Sequence, residues 1–167
     1  IVGRAIAYYL VQGGARVRLI DADPSPSDAS RASIGVLTHI TGGDDPYGRF
    51  HRDGHALHGE LAARLLEETG VDVGFRRLGG IQLVMAEAEM DQAREVMAFS
   101  RKRGCSYEWM DIQSLRRLEP RISADALGGV FFPGDHRVDP ELLASALLQT
   151  AQSGWFANIL LEKYTLL

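Results

Sequence analysis

Apolar positions along the chain change period several times, and each change predicts an element. Across residues 1–12, Ile1, Val2, Ala5, Ile6, Tyr9 and Leu10 recur at helical spacing, and Gly13-Gly14 follows them. The pattern predicts a buried helix stopped by glycine, which adopts the left-handed conformation of a helix end without a Cβ penalty. "ARVRLID" then alternates at Val17 and Leu19 and closes on Asp21, which predicts a strand with an acid at its carboxyl end. "DADPSPSDAS" is turn-forming, and "RASIGVLTHITGGDDP" continues with small residues interleaved with Ile34, Val36 and Leu37. One long, extended, glycine-punctuated loop that lines a ligand is expected here.

From Pro46 to about Thr69, Phe50, Leu57, Leu61 and Leu65 share one side of a helix that ends at Gly70. "VGFRRLGGIQLVMA" reads as two short strands around Gly79-Gly80, a hairpin signal. "EAEMDQAREVMAFSRKRG" is an amphipathic helix with acids early and bases late, in accord with the helix dipole. "YEWM" predicts a strand, Asp111 caps a short helix that stops before Pro120, and "ALGGVFFP" predicts a further strand. Asp139-Pro140 then begins a helix through Gln152. A helix–strand pair comes first and a mixed α+β region follows, so the fold class is α/β.

Composition narrows the partners. A chain of 167 residues holds one ordinary domain or pieces of two, and 46% hydrophobic against 24% charged residues places it among folded globular proteins. Net charge is −4 and the bases are scattered, so no basic face for nucleic acid is expected. Cys105 is the one cysteine, which excludes an internal disulfide, reads as an idle thiol and suits a reducing cytoplasm. No apolar run approaches the ~20 residues of a membrane span.

Gly3 reads as the last glycine of a G-x-G-x-x-G motif whose first strand and first two glycines would precede residue 1. In that motif the last glycine permits close helix–strand packing, the helix amino end faces a pyrophosphate, and an acid about 20 residues on holds the ribose hydroxyls. Asp21, 21 − 3 = 18 positions after Gly3, ends the predicted strand. An acid rather than a basic cluster there favours FAD or NAD over NADP. An ordinary helix–strand pair without a nucleotide is the competing reading.

His51, His55 and His58 fall at i, i+4 and i+7 on one helical stripe. Two histidines four apart can chelate a metal, but no further ligand is predictable nearby, so the stripe is read as a solvated or packing face and no metal is assigned. His39 is either near the ligand or polar surface. His136 is expected in a turn, Asp44-Asp45 favour the amino end of the coming helix, and Trp109, Phe131 and Phe132 are expected in a sheet core.

"IVGRAIAYYL" with "RVRLIDAD", then "DASRASIGVLTH", "LLEETGVDVGFRRLGGIQLVM" and "EPRISADALGGVFFPGDHRVDPELLASAL" resembles the amino-terminal half of the FAD-dependent D-amino-acid-oxidase superfamily, nearest its glycine-oxidase branch of thiamine biosynthesis. The resemblance covers residues 1 to about 153, and the tail "WFANILLEKYTLL" departs from it. It implies a partial Rossmann-like FAD-binding domain, first strand missing, with an inserted α+β substrate-domain portion: residues 1–45, then 46–135 of the cap, then 136–167 returning. It implies FAD as cofactor, held by Gly3, by Asp21 and Ala22 at the adenosine ribose, by Ala29, Ser30, Arg31 and Ala32 along the pyrophosphate and ribityl chain, and by Gly35, Val36 and Leu37 against the flavin ring. It further implies oxidation of glycine or another small amino acid or amine to the imino acid, a possible homo-oligomer in the full-length protein, and substrate-clamping residues beyond Leu167. No turnover is expected of this chain alone. A non-catalytic interaction module and an NAD-binding dehydrogenase fragment are the alternatives.

Overall fold

The computed structural model describes residues 1–21, 28–38, 45–102, 105, 107–152 and 159–163. Helix α1 (Val2–Gln12) buries Ala7, Tyr8 and Val11 while Val2, Ile6 and Leu10 remain exposed, so it is buried on one face and not all round. Arg4 shares the buried face, because positions 4, 7, 8 and 11 fall on one side of a helix. The left-handed residue of its stop is Gly14, at φ 81°, while Gly13 stays near φ −76°. Strand β1 (Val17–Asp21) follows where expected.

The long loop is not uniformly extended. It contains a short helix, α2 (Asp28–Ala32), which packs on the later helix α6 (Pro140–Gln152), and a two-residue strand, β2 (Val36–Leu37). Alanine and arginine at positions 29, 31 and 32 are strong helix formers, which explains the difference. Helix α3 (Pro46–Thr69) has the predicted bounds: the Asp45 carboxylate accepts from Gly48 N–H at 2.7 Å, Pro46 occupies the first turn, and Gly70 ends it at φ 72°.

Strands β3 (Arg76–Arg77) and β4 (Gly80–Val84) do not form the expected hairpin. β3 pairs with β7 (His136–Arg137) and β4 with β6 (Gly128–Phe132), in separate three-stranded sheets ordered β2-β7-β3 and β4-β6-β5. Gly79, at φ 73°, turns the chain from one sheet to the other, and its N–H donates to the Asp135 carbonyl at 3.0 Å. His136 is therefore in a central strand rather than a turn, opposite Leu37 and Arg77. Between β4 and β6 in the chain come α4 (Met90–Arg101), β5 (Glu108–Asp111) and α5 (Ile112–Leu118), the last capped by Asp111 through Ser114 N–H at 2.7 Å. After α6, strand β8 (Ile159–Lys163) pairs in parallel with β1, Val17 opposite Ile159 and Asp21 opposite Lys163.

Two apolar interiors result. The first joins Tyr8, Leu61, Leu65, Val73, Val138, Leu143, Ala146 and Leu147, from α1, α3, α6 and the segments before β3 and after β7. Helix α3, grouped by the sequence reading with residues 46–135, thus shares its interior with α1 and α6. The second joins Val84, Ala93, Tyr107, Val130 and Phe132 under β4–β6 and α4. Phe132 is buried as expected, but Trp109 is 36% exposed, lying over Gly128 at the edge strand β5.

Candidate functional site

The amino end of α1, the carboxyl end of β1 and helix α2 converge. The Ile1 nitrogen donates to Ser30 Oγ at 3.0 Å, which brings the turn around Gly3 against the predicted pyrophosphate segment. Among the described residues no acid occupies the first turn of α1 and no side chain caps it, so its first amides, which have no partner inside the helix, are available at the end that meets Ser30. A Cβ on Gly3 would lie 3.8 Å from Leu19 Cδ1, which shows that this glycine faces β1.

Asp21 ends β1 with its side chain partly exposed, and the guanidinium of Arg4 lies 3.9 Å from its carboxylate. Arg4 also donates to the Ala144 carbonyl at 3.1 Å, so one buried cation ties the β1 carboxyl end to α6. The sequence reading missed Arg4. The available signal was its place at i−3, i−4 and i−7 from three buried positions of α1, where a charge must be paired.

The remaining predicted residues are distributed along the rim. Ala29, Arg31 and Ala32 are exposed on α2, with Arg31 Nε 3.5 Å from Glu141 at the start of α6. Gly35 is buried at φ 72°, and a Cβ there would run into the Val138 carbonyl oxygen, so the crossing of β2 and the segment after β7 requires glycine. Val36 is exposed and Leu37 half-buried against the first interior. A groove of about 500 Å³ runs between Arg31, Ile34, Arg137 and Glu141. Ala22, His39 and Asp44 lie outside the described residues.

The histidines gather beside β2. His51, His55 and His58 line a groove of about 220 Å³ with Leu37 and Phe50, and the His55 ring lies 4.6 Å from that of His136. Among the described residues, no group of three or more His, Cys, Asp or Glu side chains is arranged to hold a metal ion. At the margin of the first interior, the hydroxyl of the buried Tyr8 donates to Glu68 Oε2 at 3.1 Å, and burial together with that carboxylate pushes its ionisation up to about 12.

Open helix amides beside a carboxylate at a strand end fit a dinucleotide, with donors for the diphosphate and an acceptor for ribose hydroxyls. The sequence pattern of the FAD dependent oxidoreductases matches residues 1–154, and the chain belongs to that family, whose cofactor is FAD. Glycine oxidase of Geobacillus kaustophilus (strain HTA426) is 32% identical over 99% of the chain. The crystal structure of glycine oxidase from Geobacillus kaustophilus superposes with a TM-score of 0.87 at 30% identity over 97% of the chain, covering 44% of its own. That of iminodiacetate oxidase from Chelativorans sp. BNC1 gives 0.78 at 27% identity over 95% of the chain and 43% of its own. The chain spans 44% of the length of the curated Geobacillus relative, less than half. No described helix is long and apolar enough to cross a membrane.

Proposed function

We propose that the chain supplies the adenosine- and pyrophosphate-binding part of a flavoenzyme that oxidises glycine or another small amino acid or amine. The observation that carries this is the convergence of Gly3, Asp21 and Ser30 around one open helix end in a member of an FAD-dependent family. Asp21 accepts from the adenosine ribose hydroxyls, with Ala22 beside it, while the α1 amides and Ser30 donate to the pyrophosphate. Ala29, Arg31 and Ala32 follow the ribityl chain. Gly35, Val36 and Leu37 face the ring, where the absence of a side chain at Gly35 lets backbone and ring approach.

FAD held by these residues would supply the acceptor for the hydride lost from the substrate α-carbon as the amine becomes an imine, with oxygen or a quinone as the final electron acceptor. The residues of this chain bind and orient the cofactor for that transfer. On this reading residues 1–45 and 136–167 belong to the FAD-binding domain and 46–135 contribute to the cap. The single cysteine supports a reducing, cytoplasmic setting.

The test is titration of the full-length protein containing this chain with FAD and, separately, NAD, followed by flavin-fluorescence quenching and peroxide release on amines. Quenching by binding of FAD alone, with peroxide from a small amino acid, is expected. Binding of NAD without FAD would overturn the reading.

A further inference from the structure

Arg4 is the only buried cationic side chain among the described residues. We propose that it is a positioning residue of the cofactor site, which holds the Asp21 carboxylate in place for the adenosine ribose by tying it to α6. The proposal rests on the reading of Asp21 as the ribose acceptor.

Position 4 follows Gly3 directly and shares the buried face of α1 with Ala7, Tyr8 and Val11. An apolar residue would fill that place at no electrostatic cost, whereas a guanidinium must be paired and hydrogen-bonded to compensate its desolvation. Arg4 meets that need with two elements at once. Its Nη1 donates to the Ala144 carbonyl at 3.1 Å, and its Nη2 lies 3.9 Å from Asp21 Oδ2. The planar guanidinium fixes the two nitrogens relative to each other, so the contact with α6 determines where the other nitrogen meets the carboxylate. The α6 end is firmly packed: Ala144 is buried, and its neighbours Leu143, Ala146 and Leu147 are members of the first interior.

The Asp21 end is the one that needs fixing. Asp21 shares a face of β1 with Val17 and Leu19, and Leu19 is the side chain nearest Gly3, so this face looks toward α1. Yet the Asp21 side chain is 38% exposed, against 6% for that of Arg4. A carboxylate at a strand end and partly in water exchanges between rotamers, and ordering it when a ligand arrives costs affinity. The buried guanidinium favours the rotamer that brings Oδ2 toward α1 before any ligand is present. Stability alone does not account for an ion at this place, because a well-packed apolar side chain serves stability as well or better. The effect of Arg4 is therefore felt where the preorganised carboxylate acts, in affinity for FAD.

The experiment titrates the flavin-stripped full-length protein with FAD, comparing the wild type, Arg4→Met, Asp21→Asn, the double variant and Arg4→Lys. Arg4→Met is expected to weaken FAD binding roughly tenfold when Asp21 is present and to add little in the Asp21→Asn background, the non-additivity of two groups that act as a unit. Arg4→Lys, which keeps the charge but offers a single nitrogen, is expected to fall between the wild type and Arg4→Met. A merely structural role would weaken binding by the same factor in both backgrounds; that result, or unchanged affinity in Arg4→Met, would overturn the inference alone. Where Arg4→Met does not fold, the same cycle run with Arg4→Lys decides by the same criterion. FAD affinity left intact by Asp21→Asn would overturn the ribose reading, and the inference with it.

Discussion

The two interiors of this chain solve the same packing problem with opposite consequences for the surface. The second is built on one ladder: β4 and β5 flank β6 through continuous antiparallel registers, and Val130 and Phe132 are covered by Val84, Ala93 and Tyr107. The first is built from helices that come from distant stretches of sequence, and its rim carries the open end of α1, Asp21, Ser30 and Gly35. In that ladder the central strand β6 spends its backbone groups on both neighbours. A helix assembly leaves terminal amides for a ligand. The proposed binding residues therefore gather at the edge of the first interior, while the second provides a frame.

Truncation in each interior is the harshest way to break this contrast. Phe132→Ala is expected to cost about 3–5 kcal/mol and Leu65→Ala about 2–5 kcal/mol by chemical denaturation, since both side chains are buried. The two separate on flavin affinity: Leu65→Ala weakens it because Leu65 supports the packing of α3 with α1 and α6, while the folded fraction of Phe132→Ala retains it. Equal loss in both would erase the distinction.

Gly35→Ala is expected to destabilise by about 1–3 kcal/mol from its left-handed backbone alone, with more from the Val138 carbonyl, and to weaken FAD binding. Asp21→Asn sharpens the contrast at the rim. Its effect is expected mainly in FAD affinity, roughly 10- to 100-fold by equilibrium titration, because a charged acceptor for ribose is lost.

Smaller effects come from ionisation and caps. Asp111→Ala, capping α5 near the second interior, is expected to cost about 1 kcal/mol and leave FAD affinity in place. Tyr8 keeps its proton to about pH 12 in the folded protein, against ~10 for an unfolded tyrosine. Its stabilising effect is therefore complete below pH ~10 and is lost as pH rises through about 12, so alkaline unfolding of Tyr8→Phe should show a shallower pH dependence over that window.

Legibility followed locality. Asp45-Pro46 and Gly70 bound α3 because caps and stops act within a few residues, and Asp111 and Asp139 mark their helices for the same reason. The Gly79-Gly80 signal misled because a glycine turn shows that the chain redirects and not which strands it then joins; both partners, β6 and β7, lie more than 45 residues on. The same nonlocality concealed the site. Gly3 and Asp21 could be proposed from their spacing alone, but the pairing of Arg4 with Asp21 and the contact of His55 with His136 exist only once distant elements meet.

The most direct test of the central claim is a crystal structure of the flavin-loaded full-length protein. The account predicts the adenosine ribose hydroxyls within hydrogen-bond distance of the Asp21 carboxylate, the pyrophosphate at the α1 amino end beside Ser30, and the ring against Gly35 to Leu37. Flavin bound with Asp21 and the α1 amino end out of contact would contradict it.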